Sequence, residues 1–561
     1  MLPSRRAAAR SVCVTRGAPR RIPLPNTADI IARALKASGA RYAFGIPGGE
    51  VLDVLEAFRE AGIRFVLTKQ ELGAGFMAEA SFQLTGKPGV LVATLGPGFT
   101  NAVTPVAQAL LDRSALIVIT GEIATALKPI FTHQIIDQCE VLRPIVKWST
   151  MVAAAGAAAQ VEKGIAIAQA AMPGPVHLNL PTDVASAQQA ATGRRFAPME
   201  LRAAPAPANW GKVRNWLERA RSPLALVGVG VQLDDGATHL RRFLERWRVP
   251  LITTYKAKGV IPEDHRLALG GTGLSPVVDR IHMERVREAD LILTIGFDPV
   301  ELRADWIAPW DAAKHSVNID LVANTHHVYQ CSIEVIGSIA EALRGLAAAA
   351  PRRAPSRWPD AQLAAHRDAV RKAITPRPGR RLGPFQVVST LREILPRNTL
   401  ATVDTGSHRI LINHVWEAYE PRSMLQSNGL GSMGYGLPAA IAAKLIFPRR
   451  PVLAMMGEAG LDMVIGELAL LAYHKLPITI VVFRDDTLSL IKLKQERMKL
   501  PESGVVTGSP DYAALARAYG GHGHSVRSVP ELARAARAAL KSPRFTLIEA
   551  RIDPAEYRRQ M

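Results

Sequence analysis

Two stretches decide the fold: Val452-Leu-Ala-Met-Met-Gly-Glu-Ala-Gly460 and, downstream, Ile478-Thr-Ile-Val-Val-Phe-Arg-Asp-Asp486. Each opens on a short run that is almost wholly apolar (Thr479 is the one polar residue), not apolar at alternate positions. That pattern fits a parallel strand covered on both faces. Between them, Glu467, Leu468, Leu470 and Leu471 read as a helix, with Asp462 as its N-cap and Pro477 before the next strand. Glu458 and Asp485 are therefore one strand–helix–strand crossover apart. Both fall at the carboxyl ends of parallel strands, where open α/β sheets bind their ligands.

The same grammar extends outward. Upstream in this unit lies Thr399–Val403, and downstream lies Phe545–Glu549, so residues 383–555 form one α/β domain. Residues 26–190 form another, with strands at Tyr42–Gly45, Phe65–Leu67, Val90–Thr94, Leu116–Thr120 and Val176–Leu180. A Pro/Ala-rich linker near Ala203–Ala208 leads to a third unit, 205–350, with strands at Leu224–Gly228, Leu251–Thr253 and Leu291–Ile295. The fold class is α/β, three doubly wound parallel-sheet domains. Gly228-Val-Gly230 resembles the start of a dinucleotide fingerprint, but no third glycine opens a helix.

The chain has 561 residues and a net charge of +20. Such a charge raises the question of nucleic acid. Residues 1–25 hold six Arg and no acid, and residues 351–381 hold nine basic residues against Asp360 and Asp368. Together they account for 13 of the 20 charges. The first segment reads as a disordered basic arm and the second as a solvated basic linker; neither offers the aromatics of a nucleic-acid site. Three scattered cysteines argue for a cytoplasmic protein without a disulfide framework. No membrane span is expected, because Gln160, Glu162 and Lys163 interrupt the Ala-rich run from Met151 to Met172.

Two carboxylates beside a helix N-terminus suit Mg²⁺ held against a diphosphate. The metal takes oxygen ligands, and free helix N–H groups take phosphate oxygens. Acids at strand ends are common, so the pair alone leaves the question open. The wider sequence narrows it. Gly457 to Leu490 resembles the thiamine diphosphate signature, and the three units follow that family's order: pyrimidine-binding, central and diphosphate-binding. Within the family the chain is most similar to the acetolactate synthases, especially the catabolic, flavin-independent type. The supporting stretches include Phe44-Gly-Ile-Pro-Gly-Gly49, Leu95-Gly-Pro-Gly-Phe-Thr-Asn101, Gly296-Phe-Asp-Pro-Val-Glu301, Thr405-Gly-Ser-His408 and Met433-Gly-Tyr-Gly-Leu-Pro438.

This resemblance implies a set of roles. The Glu458 and Asp485 side chains and the Thr487 carbonyl would hold Mg²⁺. Gly406, Ser407 and His408 would lie near the diphosphate, with Gly457 and Gly460 at the helix N-terminus. Met433 would bend the cofactor, and the Gly431 carbonyl would meet its amino group. Glu71 would be the catalytic glutamate at the pyrimidine ring. Taken singly, Met433 reads as core filler and Glu71 as a surface acid. His133 and His408 read equally well as ligand-facing or structural. The sequence departs from the family at four positions: Glu458 stands for Asp, Ala459 for Gly, Asp485 for the commoner Asn, and Gln70 for His. The implied activity is a carboligase that turns pyruvate, with loss of CO₂, into acetolactate. One alternative is another thiamine diphosphate-dependent decarboxylase of 2-oxo acids, or a ligase similar to carboxyethyl-arginine synthase. A second is a cofactor-binding homologue without catalysis. A homodimer or homotetramer is implied, with FAD the less favoured cofactor for the central domain.

Overall fold

The computed structural model describes residues 24–189, 210–352, 357–377, 379 and 381–559. Nearly all of the basic arm and the Ala203–Ala208 linker lie outside the described residues. The chain builds three six-stranded, all-parallel sheets. The first holds β1 (Tyr42–Ile46), β2 (Arg64–Leu67), β3 (Gly89–Ala93), β4 (Leu116–Glu122), β5 (Trp148–Met151) and β6 (Pro175–Pro181), in spatial order β2-β1-β3-β4-β6-β5. The second holds β7 (Pro223–Val227), β8 (Leu251–Thr254), β9 (Ala268–Thr272), β10 (Leu291–Ile295), β11 (His315–Asp320) and β12 (Ile333–Ile336). Its order, β12-β11-β10-β7-β8-β9, is that of a doubly wound dinucleotide fold. The third holds β13 (Leu400–Val403), β14 (Met424–Gln426), β15 (Val452–Gly457), β16 (Thr479–Arg484), β17 (His522–Val526) and β18 (Thr546–Arg551). Its order, β14-β13-β15-β16-β18-β17, repeats the first sheet's strand for strand.

The first and third domains share one core. Helices Glu71–Thr85 and Gly436–Ile446 are buried on nearly every face. Small residues (Gly73, Ala74, Gly75, Ala78, Ala80, Ala439, Ala440, Ala442 and Ala443) let them lie between the two sheets, as expected of a helix apolar all round. Phe76 meets the Tyr435 ring edge-on at 5.6 Å. The Tyr435 hydroxyl donates to Gln83 Oε1 at 2.9 Å, so its polar end is satisfied. β3 runs tight against the first helix: a Cβ on Gly89 would lie 2.0 Å from the Ala78 carbonyl oxygen. Gly89→Ala should therefore destabilise the protein by about 1–3 kcal/mol. The urea midpoint reads this directly.

Two expectations need correction. The segment 351–381 is not merely a solvated linker. It contains helix Asp360–Ile374, which buries Leu363, His366, Val370 and Ile374 at helical spacing. Just before it, Trp358 Nε1 donates to the Pro223 carbonyl at 2.8 Å. Inside, His366 Nε2 meets His282 Nδ1 at 3.0 Å. Dense basic residues on the outer face hid the buried stripe. Asp462, in turn, is not an N-cap. The helix after β15 begins at Glu458, with Gly457 as its cap, and ends at Asp462. Asp462 instead accepts the Tyr512 hydroxyl at 2.9 Å.

Candidate active site

Strand order in the third sheet reverses between β13 and β15, so a crevice opens where their carboxyl ends part. A cleft of about 220 Å³ sits there. Its lining includes Gly406, Ser407 and His408 after β13, Gly457, Glu458, Ala459 and Gly460 after β15, and Asp485 and Thr487 after β16. Gly431 and Met433 also line it. The structure thus brings ten of the eleven singled-out residues together.

Glu71 is the eleventh and lines a different crevice. It opens helix Glu71–Thr85 and is only 5% exposed. Asn101 Nδ2 donates to its Oε2 at 3.2 Å. The lack of a Cβ on Gly98 leaves room for Oε1. This crevice lies at the switch point between β1 and β3, where Thr94 Oγ1 donates to Glu50 Oε2 at 2.5 Å. Gln70 is exposed, and its backbone N–H donates to Glu467 Oε1 at 3.2 Å. His133 is exposed as well.

Asp404 was missed by the sequence reading, although it follows β13 at the switch point. It is fully buried and accepts from the backbone N–H groups of Thr405 at 2.6 Å, Gly434 at 3.0 Å and Gly436 at 3.2 Å. Burial pushes its carboxyl up to about 6. It ties the strand end to the loop carrying Met433. Gly431 and Gly434 flank that residue with φ of 65° and 84°, values that suit glycine.

The residues fit a bound diphosphate and a cation. Thr405 Oγ1, Ser407 Oγ, His408 Nε2 and Glu458 Oε1 are buried polar atoms without a hydrogen-bond partner among the described residues. Such atoms are costly unless a ligand meets them. His408 stacks on Phe483 at 5.3 Å, and burial lowers its pKa to about 3, so it is neutral. Burial and the nearby Asp485 raise Glu458 to about 8, a penalty that a cation between the two acids would relieve. Asp485 is better supported. It accepts from Thr487 N at 3.1 Å, Thr487 Oγ1 at 3.0 Å and Ser489 Oγ at 2.5 Å. Among the described residues no three His, Cys, Asp or Glu side chains gather to hold a metal. The remaining ligands would have to be carbonyl or phosphate oxygens, which Mg²⁺ accepts.

Comparison with known proteins assigns the three domains to one family. Residues 404–550 match the thiamine pyrophosphate enzyme C-terminal TPP binding domain, 25–141 the N-terminal TPP binding domain, and 211–346 the central domain. A probable acetolactate synthase large subunit of Methanocaldococcus jannaschii is 30% identical, over 94% of this chain and 92% of its own. The chain belongs to the thiamine pyrophosphate enzymes. A catabolic acetolactate synthase of Raoultella terrigena is 29% identical over 91% of this chain and 92% of its own. A probable 2-ketoarginine decarboxylase of Pseudomonas aeruginosa is 30% identical over 93% of each. This thiamine pyrophosphate enzyme is accordingly a thiamine diphosphate-dependent enzyme of 2-oxo acids, of the acetolactate synthase type. Among its described residues no helix is long and apolar enough to cross a membrane.

Proposed function

We propose that the protein decarboxylates pyruvate and joins the remaining two-carbon unit to a second 2-oxo acid, giving acetolactate. The observation that carries the reading is the group of partnerless buried polar atoms at the third sheet's switch point, together with similarity running the length of acetolactate synthases. Ser407, His408 and Thr405 face the diphosphate. Glu458, Asp485 and the Thr487 carbonyl hold Mg²⁺. Met433 and Gly431 shape the middle of the cofactor's seat. Bound thiamine diphosphate supplies the carbon nucleophile and the electron sink for decarboxylation. Glu71 holds a proton at the pyrimidine ring and lets it move.

Glu71 and the cleft reside in separate crevices, so in this reading two copies of the chain assemble each site. Leu127, Ile130, Phe131, Ile136 and Val141 of the first domain are exposed apolar residues, a surface suited to a second copy. The central domain works without flavin here. Its crevice is bridged by Arg113 Nε to Asp298 Oδ2 at 2.7 Å. A Cβ on Gly228 would lie 2.2 Å from the Gly296 carbonyl oxygen, so the chain leaves β7 and β10 in close backbone contact. A yellow purified protein would overturn this.

The relative named for 2-ketoarginine supports a second reading, decarboxylation of a longer 2-oxo acid. Purified protein with thiamine diphosphate, Mg²⁺ and either pyruvate or 2-ketoarginine separates the two. Acetolactate from pyruvate is the expected product. Decarboxylation of 2-ketoarginine alone selects the second reading. Turnover of neither acid selects a cofactor-binding homologue without catalysis.

A further inference from the structure

The loop Ser427–Met433 belongs to the third domain, yet it is held largely by the other two. Asp112 ends helix Val103–Leu111 of the first domain and is 3% exposed. Its Oδ1 accepts from Gly429 N at 2.7 Å, and its Oδ2 from Asn428 N at 3.2 Å. Lys256 of the central domain approaches Oδ2 at 3.0 Å. One turn before Asp112, Gln108 Oε1 accepts the Ser427 hydroxyl at 2.7 Å, and its Nε2 donates to Glu79 Oε2 at 2.6 Å. Ser427 Oγ in turn accepts Ser432 N at 2.9 Å. On the other side, Asn428 Nδ2 donates to Glu301, which also pairs with Arg409, and Arg409 donates to the Ser427 carbonyl. Gly429 lies so close to the first domain that a Cβ there would meet Leu111 Cβ at 2.4 Å. A Cβ on Gly431, by contrast, would meet nothing within 4 Å.

We infer that Asp112 is a positioning residue: a first-domain carboxylate that fixes the stem of the Ser427–Met433 loop and so sets where Gly431 and Met433 meet the cofactor. The inference rests on the proposed roles of those two residues. Its physical content is a pair of charge-assisted bonds to consecutive backbone amides, which are stronger than neutral ones and rigid in direction. Lys256 balances the charge of Asp112, and burial together with Asp112 raises the pKa of the Glu79 carboxyl beside it. Arg409 and Glu301 form a second buried pair across the same stem. The stem is thereby clamped from both sides, while the tip at Gly431 faces open space. Displacement of a reacting group by about 1 Å can cost about 100-fold in rate, so a small slackening of this stem should be visible in turnover.

Asp112→Asn tests this. The asparagine oxygen can still accept from Gly429, but its amide N–H₂ then faces the Lys256 ammonium. In D112N/K256Q the glutamine oxygen accepts that N–H₂, which removes the clash with the ammonium, while Asn428 N–H keeps the retained oxygen at the Oδ1 position, 3.3 Å away, as its acceptor. Three measurements apply: amide hydrogen exchange without cofactor, calorimetric affinity for thiamine diphosphate with Mg²⁺, and pyruvate kinetics. D112N should speed exchange at residues 428, 429 and 432, weaken cofactor affinity about 10-fold or more, and lower kcat with KM within about twofold. D112N/K256Q should recover most of each loss. Unchanged loop exchange in D112N would overturn the inference. So would exchange raised evenly through the first domain without recovery in the double variant, which marks a merely structural residue. If the unaltered protein binds no thiamine diphosphate while D112N still loosens only this loop, the cofactor roles of Gly431 and Met433 fall and the clamp itself stands.

Discussion

Replacing Glu71 by glutamine is expected to lower pyruvate turnover by about 10²–10⁴-fold, the usual contribution of a positioned proton-transfer group, while cofactor affinity changes little. Glutamine keeps the shape and one oxygen for the Asn101 amide, which lies 3.2 Å from the carboxylate. It loses the acidic proton equilibrium, and that is what the assigned role needs. Turnover by steady-state assay and affinity by calorimetry separate the two effects. A turnover equal to that of the unaltered protein would sink the role. The variant also tests how the site is assembled. In a mixture of E71Q with E458A, each mixed dimer would contain one site with both an intact Glu71 and an intact Glu458. Random pairing then returns about one quarter of full activity. No recovery would mean that one chain supplies both halves of its own site.

The second large effect is expected at the carboxylate pair. Glu458→Ala should weaken Mg²⁺-dependent cofactor binding by about 100-fold, equivalent to about 2.7 kcal/mol. Added chelator should weaken binding to the unaltered protein and barely affect the variant. The apoprotein should move the other way. Glu458 is 3% exposed, its Oε1 has no partner among the described residues, and Asp485 lies nearby. Deleting an unsatisfied buried carboxyl relieves strain, so the thermal midpoint of the apo variant should equal or exceed that of the unaltered protein. Loss of apo stability together with undiminished cofactor affinity would show that Glu458 is structural. Glu458→Asp separates reach from charge. It restores the family's usual acid, and retained binding is expected because the Asp485 side is already fixed by Thr487 and Ser489.

Much of this architecture was readable from sequence because buried parallel strands must be apolar throughout. The strands that escaped show the limit of that rule. β5, β9, β12, β14 and β17 all lie at sheet edges, where only one neighbour is required. β17, His522-Gly-His-Ser-Val526, has hardly an apolar residue. β11 was the exception. It is an inner strand, but Ser316 and Asn318 break its apolar run, and the Thr294 hydroxyl satisfies the Asn318 oxygen at 2.8 Å. At the site, the spacing between Glu458 and Asp485 located both acids because adjacent parallel strands impose it. Asp404 and Asp112 escaped because what defines them is backbone amides brought close by folding. Nothing local in the sequence distinguishes such an acid from one on the surface. The basic stretch 351–381 misled for the opposite reason, since its composition describes only the outer face of the helix.

The repeated strand order of the first and third sheets has a further consequence. The chain carries two versions of one architectural plan, each with its own crevice at the same topological point. One crevice gathers hydroxyls, an imidazole and paired acids, and the other holds the buried Glu71 beside Asn101. In the proposed assembly, charge handling and proton handling are therefore written into separate copies of the plan. Substitutions such as Glu458 and Ala459 can retune the grip on the anionic end of the cofactor without altering the residues that govern proton movement at the other.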